Sequence, residues 1–291
     1  MSIVVDKNVR LIVQGITGRE GSFHAEQMMQ YGTNVVAGVT PGKGGQTVLG
    51  NVPVFNSVRE AVEATGANAT TIFVPAKFTE ASAYEAIDAG LKLVVTIAEH
   101  VPVHDMMRVY HTARRRGVTL IGPNSFGIIS PPDRVKTGFM PHSIFTPGPV
   151  GLMSRSATNC YETVFAMTNK GIGQSTCISV GGDMIPGTTF IDYLPLFQAD
   201  PETKAIVLIG EIGGSDEEIA AEYIKNHVTK PVVAVIAGKN APKGRNMGHA
   251  GAIVSADGTG SAESKEKALR EAGVHIAETT IEISDILKKI L

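Results

Sequence analysis

The stretch Arg10-Leu11-Ile12-Val13-Gln14-Gly15-Ile16-Thr17-Gly18-Arg19-Glu20-Gly21-Ser22 reads as a strand, a glycine turn and the opening of a helix. Arg10–Val13 is a short apolar run, and Ser22–Tyr31 has amphipathic helical spacing. Asn34–Val39 is the second strand. The alternation continues with a helix over Val58–Thr65, a strand over Thr70–Val74 and a helix over Thr79–Ala89. A strand over Leu93–Ile97, a helix over Asp105–Arg116 and a strand over Thr119–Ile121 follow. This order predicts an α/β fold with a doubly wound, Rossmann-like parallel sheet. Its strands are almost wholly apolar, as expected when helices cover both faces.

The pattern breaks between 123 and 149, where Pro123, Pro131, Pro132, Pro141, Pro147 and Pro149 cluster. That density reads as a linker over 124–148, between a first domain over 1–123 and a second over 149–291. The second half restarts with strands at Val150–Ser154, Ser175–Ser179, Ala205–Gly210 and Val232–Ile236. Helices are expected over Tyr161–Asn169, Phe190–Gln198, Glu217–His227, Glu263–Ala272 and Ile281–Ile290, with a short strand at Ala252–Val254. This is a second open α/β sheet, also largely parallel.

At 291 residues the chain suits two domains. A formal net charge of −2 argues against sequence-blind nucleic-acid binding, which needs a basic footprint. No apolar run reaches the roughly 18 residues of a membrane helix. The opening Met1-Ser2-Ile3-Val4-Val5-Asp6-Lys7 does not read as a secretory signal, so a bacterial or archaeal cytoplasmic protein is expected, with a processed organellar form as the alternative. Cys160 and Cys177 are too few for a disulfide framework or a metal set, and no metal site is expected. Glycine is the unusual count: 32 residues, about 11% against an average near 7%. Without a collagen period, that excess marks close backbone approach.

The first glycine turn sits where backbone N–H groups at a helix start meet phosphate. Its G-x-x-G-x-x-G spacing differs from that of dinucleotide enzymes. The second strand runs into Val39-Thr40-Pro41-Gly42-Lys43-Gly44-Gly45, with no acid to hold a ribose diol. Lys43 suits further phosphates, so a ligand such as CoA fits better than NAD. Thr96-Ile97-Ala98-Glu99-His100 ends the fourth strand and reads equally as a capping turn or a ligand contact. Asn124 and the small Ser125 follow the fifth strand.

In the second half, Ser154-Arg155-Ser156-Ala157-Thr158-Asn159 reads as a helix cap or an anion site. Glu211, in Gly210-Glu211-Ile212-Gly213-Gly214, is aimed at the ligand edge of the sheet. The loop Ala241-Pro242-Lys243-Gly244-Arg245-Asn246-Met247-Gly248-His249-Ala250-Gly251-Ala252 carries a histidine between glycines. Alone, such a histidine is an ordinary surface residue. No second histidine stands at metal spacing and there is no serine elbow, which leaves a nucleophile for phosphoryl groups with Glu211 as its carboxylate partner.

Together these segments resemble the α subunit of succinyl-CoA synthetase, the ADP- or GDP-forming succinate–CoA ligase. The carriers are QGITGREG at 14–21, GVTPGKGG at 38–45, GPN at 122–124, SRS at 154–156, VGGDMIPG at 180–187, IGEIGGS at 209–215 and APKGRNMGHAGAI at 241–253. The resemblance implies a CoA-binding first domain, with Thr17, Gly18, Arg19 and Glu20 at the glycine turn and Lys43, Ile97, Ala98 and Glu99 beyond it. It implies a flavodoxin-like ligase domain in which His249 is the phosphohistidine and Glu211 its partner. Ser156 and Ala157 would bind phosphate, and Tyr161 would lie near the acyl substrate. The partner implied is a β subunit with an ATP-grasp domain that holds ATP or GTP with Mg²⁺, in an αβ or α₂β₂ assembly. The implied cycle phosphorylates His249, passes the phosphoryl group to a carboxylate and lets the CoA thiol attack the acyl phosphate.

Three segments depart from the family pattern. The chain has Gly122-Pro123-Asn124-Ser125-Phe126-Gly127 for GPNCPG, Ser156-Ala157-Thr158-Asn159-Cys160-Tyr161-Glu162 for SGTLTYE, and Pro141-His142-Ser143-Ile144 for PGHI. Asn124, Ser125, Phe126 and Asn159 are therefore candidate contacts of the acid. Citrate and malate stand beside succinate as candidate substrates. A non-catalytic CoA-binding module is the alternative from another class; the intact His249 and Glu211 argue against it.

Overall fold

The computed structural model describes residues 2–242 and 244–291; Lys243 of the histidine loop lies outside the described residues. The first sheet contains β1 (Leu11–Gln14), β2 (Val35–Val39), β3 (Thr47–Val48), β4 (Val52–Phe55), β5 (Ala69–Ile72), β6 (Leu93–Thr96) and β7 (Thr119–Ile121). Its strand order is β3-β4-β2-β1-β5-β6-β7, parallel except for the β3–β4 pair. Without β3 this is the 3-2-1-4-5-6 order of a Rossmann sheet. Helices α1 (Arg19–Tyr31), α2 (Val58–Thr65), α3 (Ala76–Asp88) and α4 (Val103–Arg116) make the crossovers. The β3–β4 ribbon is absent from the sequence reading, because a two-residue strand and one containing Pro53 carry little periodicity.

The second sheet contains β8 (Gly127–Ser130), β9 (Val135–Gly138), β10 (Pro147–Ser154), β11 (Gln174–Ser179), β12 (Ala205–Glu211), β13 (Val232–Ala237) and β14 (His275–Ile276). Its order is β14-β13-β12-β10-β11-β8-β9. The five parallel strands follow the flavodoxin order 2-1-3-4-5. Helices α5 (Ala157–Asn169), α6 (Phe190–Ala199), α7 (Asp216–His227), α8 (Ala262–Glu271) and α9 (Glu282–Ile290) complete this half.

Two expectations need correction. Residues 124–148 are no linker: β8 and β9 form a hairpin that adds antiparallel to β11. Pro131 and Pro132 lie in its turn, Pro141 precedes a short 3₁₀ turn, and Pro147 opens β10. The prolines stand where a sheet needs no N–H donor, so they punctuate structure instead of preventing it. Residues 252–254 are irregular, not a strand.

The two sheets share their interior. One apolar cluster runs from Leu11, Val13, Val95 and Ile121 to Ile178, Phe190 and Leu208. The hairpin takes part: α1 packs on β9, and Thr33 Oγ1 donates to the Lys136 carbonyl at 2.8 Å. Arg114 on α4 also makes two 2.7 Å bonds to Asp192 on α6.

Gly127 marks how closely this hairpin is drawn. Its φ is +91°, and a Cβ there would lie 1.8 Å from the Thr137 carbonyl oxygen. Gly127→Ala is expected to lower stability by about 1–3 kcal/mol or more. Thermal unfolding measures it; an unchanged midpoint would return 124–148 to the status of a tether.

Candidate functional site

The carboxyl ends of β10 and β12 form the crevice of the second sheet. β10 lies between β11 and β12, the point where strand order reverses. Ser154 at the end of β10 is in register with Ile209, two residues before Glu211. Beyond β10 the chain turns into α5, whose N-cap Ser156 accepts the Asn159 N–H at 3.3 Å. Ala157 begins the helix.

His249 lies over this crevice. Its Nδ1 is 2.6 Å from Glu211 Oε2, the reach of a strong charge-assisted bond. Its side chain keeps 27% of its surface exposed, against 10% for Glu211. Gly182 lies against the ring: a Cβ there would stand 2.5 Å from His249 Cγ, so only glycine leaves room for the imidazole. The loop carrying His249 is organised by Asn246. Its amide donates to the His249 and Ala250 carbonyls at 2.6 and 3.1 Å, and its oxygen accepts the Gly248 N–H at 3.1 Å.

Glu211 is itself held from behind. Its N–H donates to Glu217 Oε1 at 3.1 Å. Glu217 is fully buried between Lys265, also fully buried, and Arg155. Lys265 Nζ also donates to the Gly213 carbonyl at 2.6 Å, and Arg155 pairs with Asp216. None of Arg155, Glu217, Lys265, Asn246 or Gly182 carries a recognisable spacing, although Arg155, Gly182 and Asn246 lie inside quoted motifs.

The bond to Glu211 is the largest cause of a raised His249 pKa; burial opposes it, as does the Arg155 charge, and the Asp183 charge adds to it. With Nδ1–H donated to Glu211, the ring loses its other proton from Nε2, which becomes a free lone pair.

The remaining second-domain candidates divide. Tyr161 is half-buried on α5, with its ring edge-on to Phe126 at 6.0 Å between centroids. Its hydroxyl is buried without a hydrogen-bond partner among the described residues, and burial pushes its pKa well up. Phe126 is buried in the second core cluster. Ser125 Oγ donates to the Thr96 carbonyl at 2.8 Å, and Asn124 Nδ2 donates to Asp183 Oδ1 at 3.2 Å. Asn159 borders a recess of about 480 Å³ with Glu162, Lys239 and Glu278.

In the first domain the glycine turn follows β1, and α1 begins at Gly18, which has no side chain to cap it. Thr17, Gly18, Arg19 and Glu20 are all exposed. Among the described residues no side chain caps the first-turn N–H groups of this exposed helix start, an arrangement suited to phosphate. Thr17 Oγ1 reaches Thr40 Oγ1 at 3.1 Å, which links the turn to the next loop. That loop carries exposed Lys43 and is shaped by Asn56 Oδ1, which accepts the Gly42 and Gly44 N–H groups at 2.9 Å each. Ile97 and Ala98 are half-buried and Glu99 exposed, at the end of β6. Asn56 gave no signal in the sequence reading.

The sign of the pH dependence follows from the raised pKa. The His249–Glu211 bond stabilises the folded chain fully below the ordinary histidine value of 6.5 and fades as pH rises through the higher folded value. In Glu211→Gln the His249 pKa is expected to fall. Histidine NMR titration measures it; identical titration in both proteins would contradict the pairing.

Two family models match the chain: a CoA binding domain over residues 6–100 and a CoA-ligase domain over residues 153–275. The chain is 53% identical over 291 residues to the ADP-forming succinate–CoA ligase subunit alpha 2 of Archaeoglobus fulgidus, with 100% of both chains covered. It is 52% identical over 293 residues to the ADP-forming succinate–CoA ligase subunit alpha of Aquifex aeolicus, covering 100% of this chain and 95% of that one. Among solved structures, ATP citrate lyase from Methanothrix soehngenii, in complex with citrate and coenzyme A, superposes with a TM-score of 0.89 at 23% identity. This covers 99% of the present chain and 50% of the lyase, and the likeness concerns fold. Full-length identity above half, with both domain models in matching order, means that the chain belongs to the succinate–CoA ligase α-subunit family.

Proposed function

We propose that this chain is the α subunit of a succinate–CoA ligase and carries the phosphoryl group on His249. The observation that carries the reading is the 2.6 Å bond from His249 Nδ1 to Glu211. It fixes the tautomer and leaves Nε2 as the nucleophile.

The first domain binds CoA. Its phosphates lie on the open N-terminus of α1 at Thr17–Glu20, with Lys43 adding charge, and Ile97, Ala98 and Glu99 border the rest of the molecule. A β subunit with an ATP-grasp domain binds the nucleoside triphosphate and Mg²⁺, in an αβ or α₂β₂ assembly in the cytoplasm. His249 Nε2 attacks the terminal phosphorus, and the bond to the leaving diphosphate breaks. Glu211 stabilises the cationic phosphorylated ring, and the start of α5 offers the Ala157 N–H and the Ser156 hydroxyl to its oxygens, the Ser156 N–H being donated to Ser154 Oγ at 3.1 Å. A carboxylate oxygen of the acid then attacks the phosphorus, which frees the imidazole and gives an acyl phosphate. The CoA thiolate attacks the acyl carbon and phosphate leaves, completing the thioester.

Succinate is favoured as the acid. The relatives at 52–53% identity are named for it, and the departures at 124–126 lead into core and backbone contacts. Phe126 is buried, and Ser125 and Asn124 are already bonded within the protein. Tyr161 and Asn159 are the side chains left to meet the acid or the partner. ATP is the favoured nucleotide on the same naming, with GTP the alternative.

The test is a half-reaction. The complex with its β subunit is incubated with γ-labelled ATP and Mg²⁺. Acid-labile label is expected on this chain and absent from His249→Asn. Glu211→Gln is expected to slow labelling by about 100-fold or more, because the carboxylate that orients the histidine and stabilises its cation is lost. Label that survives His249→Asn, or no label from ATP or GTP, would overturn the reading.

A further inference from the structure

Asp183 belongs to the second domain, yet its carboxylate is spent on the first and on Asn124 at the junction between them. Oδ2 accepts the Val101 N–H at 3.2 Å. Oδ1 accepts the His100 N–H at 3.4 Å and the Asn124 amide at 3.2 Å. The side chain is nearly buried, with the residue 4% exposed. A carboxylate out of water needs such donors, so the bonds are the condition of its burial.

Both ends of this link lead to sites already described. On one side, Asn124 N–H donates to the Ala98 carbonyl at 2.8 Å, and His100 and Val101 directly follow the Ile97–Glu99 strip. On the other, Asp183 follows Gly182, the residue against the His249 ring. The Gly182 N–H donates to the Asn124 carbonyl at 3.1 Å. A continuous series of bonded groups therefore joins the strip after β6 to the cradle of His249.

The two halves share an apolar core, but packing is incomplete where this link runs. A cavity of about 220 Å³ lies at the seam, bounded by His100, Val101, Met106, Asp183, Ile185 and Ala250. Where the surfaces are not in full contact, directional bonds decide the relative position of the two walls.

We propose that Asp183 is a positioning residue that aligns the CoA-side strip with the His249 cradle. It acts in the steps that need both domains at once, the passage of the phosphoryl group from His249 to the carboxylate of the acid and the attack of the CoA thiolate on the acyl phosphate so formed. It touches neither reacting atom. The proposal rests on the ligase reading above.

Asp183→Asn tests it, because it keeps the shape while turning one acceptor into a donor against donors; Asp183→Ala removes the link. Three quantities are measured on the complex with its β subunit: His249 labelling from γ-labelled ATP, CoA affinity by calorimetry, and the rate at which CoA plus succinate discharge the label. Labelling and affinity are expected to stay within about threefold, while discharge slows about 10- to 100-fold, the scale of a misplacement near 1 Å. An unaltered discharge rate overturns the proposal. So does a parallel fall of all three quantities, or failure of both variants to assemble, since each marks a purely structural role. Absence of label in the unaltered complex strikes the ligase reading itself.

Discussion

The site depends on one buried ion pair. Glu217 and Lys265 have no exposed side-chain surface and lie in contact. Removing one member of such a pair commonly costs about 3–5 kcal/mol, because the other charge is left in a medium that cannot solvate it. The pair is therefore fixed, and what it holds is fixed with it. Glu217 takes the N–H of Glu211, and Lys265 takes the carbonyl of Gly213. The turn after β12 is gripped from both sides, and the Glu211 carboxylate is presented to His249. Arg155, in the turn after β10, joins the same pair through Glu217, and it also pairs with Asp216 and donates to the Gly181 carbonyl at 3.3 Å. Two strand ends and the glycine loop beside them thus share one electrostatic anchor.

That anchor explains a division of labour. Groups behind the site are dry and paired, whereas His249 keeps partial access to solvent. The proposed role of His249 as nucleophile needs both: the ring must be reachable, and the carboxylate that orients it must not move. The first domain follows another rule. Its glycine turn, the N-terminus of α1 and the Lys43 loop are exposed, and their donors are mostly backbone N–H groups. Such a surface recognises phosphate by geometry at little cost in burial.

The central strands, the crossover helices and the glycine turn were legible because each has a periodicity or a local backbone requirement. The His249–Glu211 pairing was legible too, since Glu211 ends a parallel strand and His249 stands in the loop after the next one, and both come to one edge of the sheet. The β8–β9 hairpin was not. Its six flanking and internal prolines read as a tether, and only pairing with β11, some fifty residues later, makes Gly127–Gly138 a sheet edge. Lys265 and Glu217 were invisible for a related reason. On paper each is an ordinary charge on an amphipathic helix, and only the packing of α7 on α8 buries them together. Asp183 lay inside a quoted motif, but its partners come from the other domain. Phe126 misled in the opposite direction: its position beside the crevice in sequence suggested substrate contact, while the sheet directs it into the core.

The central claim is that Glu211 holds Nδ1 and so leaves Nε2 to carry the phosphoryl group. The most direct measurement is the isomer of the phosphohistidine, read by ¹H–³¹P correlation NMR on the phosphorylated chain. The account predicts phosphorus coupled to the ring through Nε2 of His249. Phosphorus on Nδ1 would contradict it, because that nitrogen cannot both carry the group and remain 2.6 Å from the Glu211 carboxylate.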